Sequence, residues 1–286
     1  MPLFPVAIVQ SDPYLLDIGG TGQVEVRPGY NDTATGKRSS VKDVVMSAHG
    51  VRFVFVGESH NNPEHHKVQA QVIEALVKDG RKVCVGMEMF TRDNQANLGA
   101  FPLGWWTDEE FQERSNWKKQ WGFPYRIYKP VFDAVKKHRL PLVALNVPRD
   151  WVRQVSRQGP QTLTDEQKKW VPSLYLENKE HRSVFDALVG GHAGAGADGM
   201  YAGQVTWDEG MANSALEFMG EKGAADRVMV IVVGSGHMMY GQGINWRIQR
   251  RTGERSLNVT CIDSEGPRKV SKGLGDFVYV APPVKE

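Results

Sequence analysis

Two glutamates and two histidines sit just beyond apolar runs of this chain. Glu58 and His60 follow the run at 52–56, Glu88 follows 83–87, and His237 follows 227–233. Carboxylate and imidazole together can do either of two jobs. They form a ligand set for a divalent metal such as zinc, manganese or iron, with an open position for an activated water. Without a metal, a glutamate orients one histidine as general base while the second histidine donates a proton to a leaving group. Residue types alone leave both open. Asn146 and Arg149, which follow a further apolar run at 142–145, are candidate supporting groups. Gly57, Gly234 and Gly236 would let the backbone turn tightly beside the site. His65 and His66 open the next helix. Adjacent helical side chains point about 100° apart, so at most one of them can join the four, and the pair is expected to be exposed; His65 is kept as a supporting residue.

Such groups converge only if the runs are strands of one parallel sheet, because an open α/β sheet presents its site beyond the carboxyl ends of its strands. The spacing predicts that sheet. Continuous apolar runs at 52–56, 83–87, 142–145 and 227–233 read as buried strands, with 257–262 and 277–280 as edge strands. Helical periodicity lies between them: a piece at 40–48 capped by Ser40, a helix begun by Asn62-Pro63-Glu64 and ended by Gly80, and helices over 130–138 and 149–158. The expected fold is α/β, a mostly parallel central sheet flanked by helices on both faces. Residues 1–39 read as an extended lead-in, and 40–100, 129–160 and 221–286 as the α/β domain. The segments 101–128 and 161–220 read as helical insertions forming a smaller subdomain over the carboxyl edge. Thr107 and Thr164 open capping boxes in these insertions, and a glycine-rich bend spans 190–203. Nine aromatic residues between Phe101 and Tyr128 could instead offer a partner surface.

Composition excludes several classes. The 286 residues are 41% hydrophobic and 24% charged, an ordinary globular mix. With 35 basic and 33 acidic residues the net charge is +2, so no global field draws the chain to nucleic acid. Arg247, Arg250, Arg251 and Arg255 read as a solvated helix face. Cys84 and Cys261 lie in apolar stretches and read as buried thiols. No apolar run reaches the ~18 residues of a membrane span. The opening Met1-Pro2-Leu3-Phe4-Pro5 lacks the basic stretch of a signal peptide, which reads as a soluble chain whose targeting segment has been removed. Gly234-Ser235-Gly236 has neither the lysine of a phosphate loop nor the spacing of a nucleophile elbow. His49, His138 and His192 gain no role from their context.

The ordered blocks 57–66 (Gly-Glu-Ser-His-Asn-Asn-Pro-Glu-His-His), Glu88-Met89-Phe90, Asn146-Val147-Pro148-Arg149, 207–212 (Trp-Asp-Glu-Gly-Met-Ala) and Gly234-Ser235-Gly236-His237 resemble the ChaN-type haem-binding uptake family. That family is grouped with the Tiki, TraB and erythromycin-esterase-like proteins, and the resemblance covers about residues 40–280. It implies an iron-regulated bacterial lipoprotein of the periplasm or outer membrane, with haem held in a cofacial pair between two subunits, so a homodimer when loaded. It also implies tyrosine as haem ligand, with polar residues of the partner subunit holding the propionates. Tyr175 and Tyr201 in the second insertion are the candidate ligands, with His181, Lys179 and Arg182 as candidate propionate partners. No Cys-x-x-Cys-His is present, so any haem is held non-covalently. Enzyme members of the superfamily use the Glu/His cluster for hydrolysis. The sequence therefore supports haem binding first and a metal-dependent or acid–base hydrolase second.

Overall fold

A computed structural model describes residues 11–189 and 196–285. The start of the lead-in (1–10), His192 and the first part of the glycine-rich bend lie outside the described residues. In chain order the elements are β1 (Gln23–Val26), β2 (Gly29–Asp32), α1 (Val41–Ser47), β3 (Phe53–Glu58), α2 (Pro63–Lys78), β4 (Lys82–Thr91), α3 (Asp108–Arg114), α4 (Trp117–Gln120), α5 (Tyr125–His138), β5 (Leu142–Asn146) and α6 (Arg149–Gln158). There follow α7 (Asp165–Trp170), α8 (Lys179–Val189), α9 (Ala197–Gly220), β6 (Arg227–Gly234), α10 (Ile244–Thr252), β7 (Ser256–Asp263), β8 (Arg268–Ser271) and β9 (Phe277–Ala281). Seven strands form the central sheet in the order β2-β9-β7-β3-β6-β4-β5. All neighbours run parallel except β2, which is antiparallel to β9. A small antiparallel pair, β1 with β8, lies apart from it.

The continuous apolar runs arise because both sheet faces are covered. Val54 and Val56 of β3, with Val228, Val230 and Val232 of β6, pack with α1, α2 and α5. Their odd neighbours Phe53, Phe55, Met229, Ile231 and Val233 pack against Met211, Ala212 and Ala215 of α9 and Ile244 and Ile248 of α10. Each such side chain contributes about 1.5–3 kcal/mol by leaving water, so the inner strands are the least yielding part of the molecule. Local signals set the helix ends. Asn62 accepts a hydrogen bond from the Glu64 N–H at 2.9 Å with Pro63 in the first turn, and reciprocal capping boxes open α1, α3 and α7.

Three expectations change. The strands at 257–262 and 277–280 are interior: β7 lies between β3 and β9, and β9 between β7 and β2. The edge on that side is β2, a polar stretch of the lead-in that pairs with a segment far along the chain, such as Asn31 with Val278, and β5 is the other edge. The aromatic stretch is not an open surface. Phe101, Phe111, Trp117, Trp121, Tyr125 and Tyr128 belong to the core on the α2/α5 face, whereas Trp105 is 73% exposed. Finally, Arg247 is buried rather than solvated, for a reason that lies in the site. Of the two segments between strands, 101–128 gives its rings to one face of the sheet, and α9 of 161–220 packs on the other. Among the described residues no helix is long and apolar enough to cross a membrane.

Candidate functional site

Strands β3, β4, β5 and β6 all end at one edge, at the point where the chain leaves β3 for β4 and later returns through β6 between them. Glu58, the last residue of β3, is buried, and its carboxylate is fully occupied. Oε1 receives the Tyr128 hydroxyl at 2.7 Å and faces His60 Nδ1 at 2.8 Å. Oε2 receives the Gln69 amide at 2.7 Å and lies 2.9 Å from His66 Nδ1. His66 Nε2 lies 3.2 Å from the His60 carbonyl, so both of its ring nitrogens face acceptors and both must carry hydrogen. Burial opposes that charge, but Glu58 outweighs it and raises the His66 pKa. Glu58 in turn is lowered far below the ordinary carboxylate range by His66 and His60, against the upward push of burial.

His60 is the group of this cluster that faces outward. Its ring is held edge-on to Trp121, with centroids 4.7 Å apart, and tilted against Phe123 at 5.4 Å. Glu58 fixes Nδ1, and Nε2 has no hydrogen-bond partner among the described residues; the side chain is 32% exposed. Burial lowers and the Glu58 hydrogen bond and Glu88 raise the His60 pKa, with a net rise.

A second cluster is built around His237. Its Nδ1 meets Asp208 Oδ1 at 2.5 Å and its Nε2 lies 3.4 Å from Glu88 Oε1. Glu88 Oε2 accepts the Gly234 N–H at 2.7 Å. Burial works against the imidazolium, yet Glu88 and Asp208 together push its pKa up to about 10. Asp208 also lies 2.9 Å from His181 Nε2, in a contact bent away from hydrogen-bond geometry, and 3.5 Å from Arg247 Nη1. Burial keeps His181 below its ordinary value, so its Nε2 carries the proton toward Asp208 and its Nδ1 accepts from Tyr201, 3.1 Å away. Arg247 Nε is 3.2 Å from Glu209 Oε1. Buried Arg247 is thus held between Asp208 and Glu209, which is why it does not join the solvated face.

Glu58, His60, Glu88 and His237 therefore share one edge as two carboxylate–imidazole couples rather than as one ligand cluster. Among the described residues no group of three His, Cys, Asp or Glu side chains could hold a metal ion, and Glu58 has no lone pair left to offer one. His65 and His66 are both completely buried rather than exposed: His65 Nδ1 accepts the Ser59 N–H at 2.9 Å, and His66 is a partner of Glu58. Gly57 and Gly234 serve by lacking a side chain, not by adopting a glycine-only backbone. A Cβ on Gly234 would stand 2.7 Å from His60 Cε1, one on Gly57 2.8 Å from Met238 Sδ, and one on Gly236 3.0 Å from Leu188 Cδ1. Asn146 donates to the Glu88 carbonyl at 3.0 Å and so ties β5 to β4 beside the site.

Both couples open on a cavity of about 650 Å³ bounded by α6, α8, α9 and the segment holding Trp121 and Phe123. Phe185, Met200 and Trp207 supply further apolar lining, and Arg149, Arg153 and Arg157 line it from α6. Of the residues singled out for haem, Tyr201 is buried behind the lining, its hydroxyl donating to the Asn178 carbonyl at 3.2 Å or to His181. Tyr175 stacks on Trp246 at 5.5 Å, with Arg250 over its ring at 4.2 Å. Tyr175, Lys179 and Arg182 share a separate depression with Leu176 and Asn178, and Arg182 pairs with Asp186 and Asp198. Asp208 and Gln204, whose amide lies 2.9 Å from His237 Nδ1, were not selected from the sequence.

The arrangement can be compared with known proteins. ChaN of Campylobacter jejuni, solved in a structure of cofacial haem binding, is 19% identical, with 88% of this chain and 96% of that one covered at a TM-score of 0.66, a likeness of fold. The type III effector HopBA1 is 12% identical over 85% of this chain and 93% of its own, with a TM-score of 0.46. An erythromycin esterase, EreC, in its open conformation is 10% identical over 82% and 76%, with a TM-score of 0.45. No curated protein matches the chain. A family model described as haem-binding uptake, Tiki superfamily, ChaN matches residues 44–248. On that match the chain belongs to the ChaN family of haem-binding uptake proteins in the Tiki superfamily.

Proposed function

We propose that this chain binds haem non-covalently in the cavity at the carboxyl edge, in the service of bacterial iron or haem uptake. The observation that carries the reading is the cavity itself, about 650 Å³ with aromatic lining and the His60 and His237 imidazoles in its wall. That volume falls within the ~300–1,000 Å³ of small-molecule sites. A histidine whose Nδ1 is fixed by a carboxylate and whose Nε2 is free has the form in which proteins orient an iron ligand and set its basicity. Haem, when bound, would supply an iron that takes an imidazole or phenolate ligand. His60 would hold that iron; Tyr201 would first have to release the Asn178 carbonyl and His181, and Tyr175 its stack on Trp246. Titration with hemin tests the set. His60→Ala is expected to shift or abolish the Soret band while Tyr175→Phe and Tyr201→Phe leave it; the converse would return the role to a tyrosine. Iron must compete with the proton on His60, whose pKa is raised, so hemin affinity is expected to rise with pH. Homodimerisation on loading, a periplasmic or outer-membrane-associated location and a lipid anchor on the natural protein belong to the same proposal. Size-exclusion chromatography with and without hemin tests the first of these.

A second reading, acid–base hydrolysis, is favoured by two carboxylate–imidazole couples opening on one cavity. His60 oriented by Glu58 would take a proton from water, and His237, held protonated, would give one to the leaving group. Ester hydrolysis lost in folded His60→Ala and His237→Ala variants would support it, and a wild type inert toward a panel of esters would remove it.

A further inference from the structure

We propose that the depression between α9, α10 and the segment at 173–175 is a second ligand site, one that takes a phosphate group, free or carried on a small monoester. Tyr175, Glu209, Trp246, Arg247, Arg250 and Arg251 line it, its volume is about 300 Å³, and it shares no lining residue with the carboxyl-edge cavity. Both lie against α9. Trp207 lines the cavity and Glu209 the depression, and two positions along a helix turn about 200°, so the two sites face opposite sides of that helix. On α10 the three arginines recur at i, i+3 and i+4, which puts them on one face. The site stands whether or not the cavity takes haem.

Two of the three guanidiniums keep hydrogen-bonding capacity to spare. Arg247 is 1% exposed. Its Nε faces Glu209 at 3.2 Å and its Nη1 donates to the Gly243 carbonyl at 2.9 Å, but its buried Nη2 has no partner among the described residues. A buried donor is costly to leave unpaired, so it favours a ligand that brings an acceptor. Arg250 lies over the Tyr175 ring at 4.2 Å and the Trp246 ring at 5.2 Å, which fixes the plane of its guanidinium. Among the described residues that group makes no ion pair, and its N–H edge is open. Arg251 pairs with Glu209. Three cations of the lining thus stand against one carboxylate, itself already met by Arg247 and Arg251. Asp208, behind Arg247, is shared with His181 and His237. An incoming anion therefore meets an excess of positive charge, which a dianion answers better than a monocarboxylate. Guanidinium forks bind phosphate bidentately and keep their charge at every relevant pH. The half-buried rings of Tyr175 and Trp246 add an apolar wall for the organic part of an ester.

Isothermal titration calorimetry of the full chain tests the site with inorganic phosphate and with phenyl phosphate, against potassium chloride of matched ionic strength. The pH is set well above the second pKa of a phosphate monoester, ~6, so that the ligand is a dianion. The wild type is expected to bind both phosphates saturably, one per chain. Arg250→Gln, at an exposed side chain, should weaken both about fivefold, as the loss of an exposed charge pair does, and Arg250→Lys should recover part of the loss. Arg255→Gln, at an exposed arginine outside the depression, should bind as the wild type does, and all three variants should keep the circular dichroism of the fold. Tighter binding of phenyl phosphate than of inorganic phosphate supports a monoester whose ring meets the aromatic wall; equal affinity supports free phosphate. Heat that follows ionic strength alone, an Arg250→Gln variant that binds as the wild type does, or an equal loss in Arg255→Gln overturns the site. Phosphate displaced one for one by hemin would make the depression part of the haem site and overturn it as a second one.

Discussion

Asp208 holds the second cluster together, and its effect can be measured residue by residue. Its carboxylate faces His237, His181 and Arg247, all buried. Asp208→Asn would leave His237 with Glu88 and Arg247 with Glu209 as their remaining carboxylate partners, so the loss is expected to be about 1.5–3 kcal/mol, the worth of a hydrogen bond to a charged group; urea denaturation at pH 7 measures it. The pH dependence follows from the direction of the shifts. His237 rises from 6.5 to about 10 on folding, so its stabilisation is complete below pH 6.5 and is lost as the pH climbs toward 10. Asp208 is lowered from 3.8, so its share is complete above that value and is lost in acid. Wild type should therefore weaken between pH 6.5 and 10, and His237→Gln should flatten that limb; an unchanged slope in the variant would contradict the assignment. The strand-end rule made Glu58, His60, Glu88 and His237 legible from the sequence, because the apolar runs point at them. Asp208 was not, since it sits within a helix and its partners come from α8, β6 and α10. Its signal was the acidic pair Asp208-Glu209 set between the buried residues Val205 and Met211 of α9. His65 had a signal too: with Val68, Val72 and Leu76 it continues the apolar stripe of α2 and is buried with it.

Helices α6 and α9 meet through missing side chains. A Cβ on Gly199 would stand 2.2 Å from the Ser156 carbonyl oxygen, one on Gly203 3.3 Å from Val152 Cγ1, and one on Gly210 2.3 Å from Val147 Cγ1. Gly199 lets α9 approach the backbone of α6, and Gly203 and Gly210 make room for the side chains of Val152 and, just before α6, Val147. Gly199→Ala meets backbone and cannot be relieved by a rotamer. It is expected to cost about 1–3 kcal/mol, as overpacking does, and to weaken hemin binding by moving α6. Gly220→Ala, at the end of the same helix with open space around it, should leave both properties unchanged. Thermal unfolding and hemin titration of the two variants check the pair. Gly234→Ala acts on the site directly: its methyl group must displace His60, so any His60-dependent spectrum should change. The inner strands were readable because each is a continuous apolar run covered on both faces. Strand β2 was not, because Gly29-Tyr30-Asn31-Asp32 has no pattern of its own and gains its conformation from β9.

Over the whole molecule, the fold brings an imidazole with a fixed Nδ1, aromatic lining and three arginines to one cavity, and the chain as a whole is nearly neutral. Charge is local, not global, so recognition should depend on this cavity and weaken with salt only as far as the exposed arginines take part. Two buried thiols contribute no ligand: burial pushes Cys84 up to about 12 and Cys261 well above its ordinary value, so oxidants and thiol reagents should leave binding intact in the folded protein. Ligand binding to the native state alone raises apparent stability by mass action, so hemin should also raise the Tm of the wild type, and raise that of His60→Ala less. The most direct measurement is the absorption spectrum of the purified protein during a hemin titration. Haem binding in this cavity predicts a saturable Soret band that His60→Ala shifts or removes; no band beyond that of free hemin, or one indifferent to His60, would contradict it.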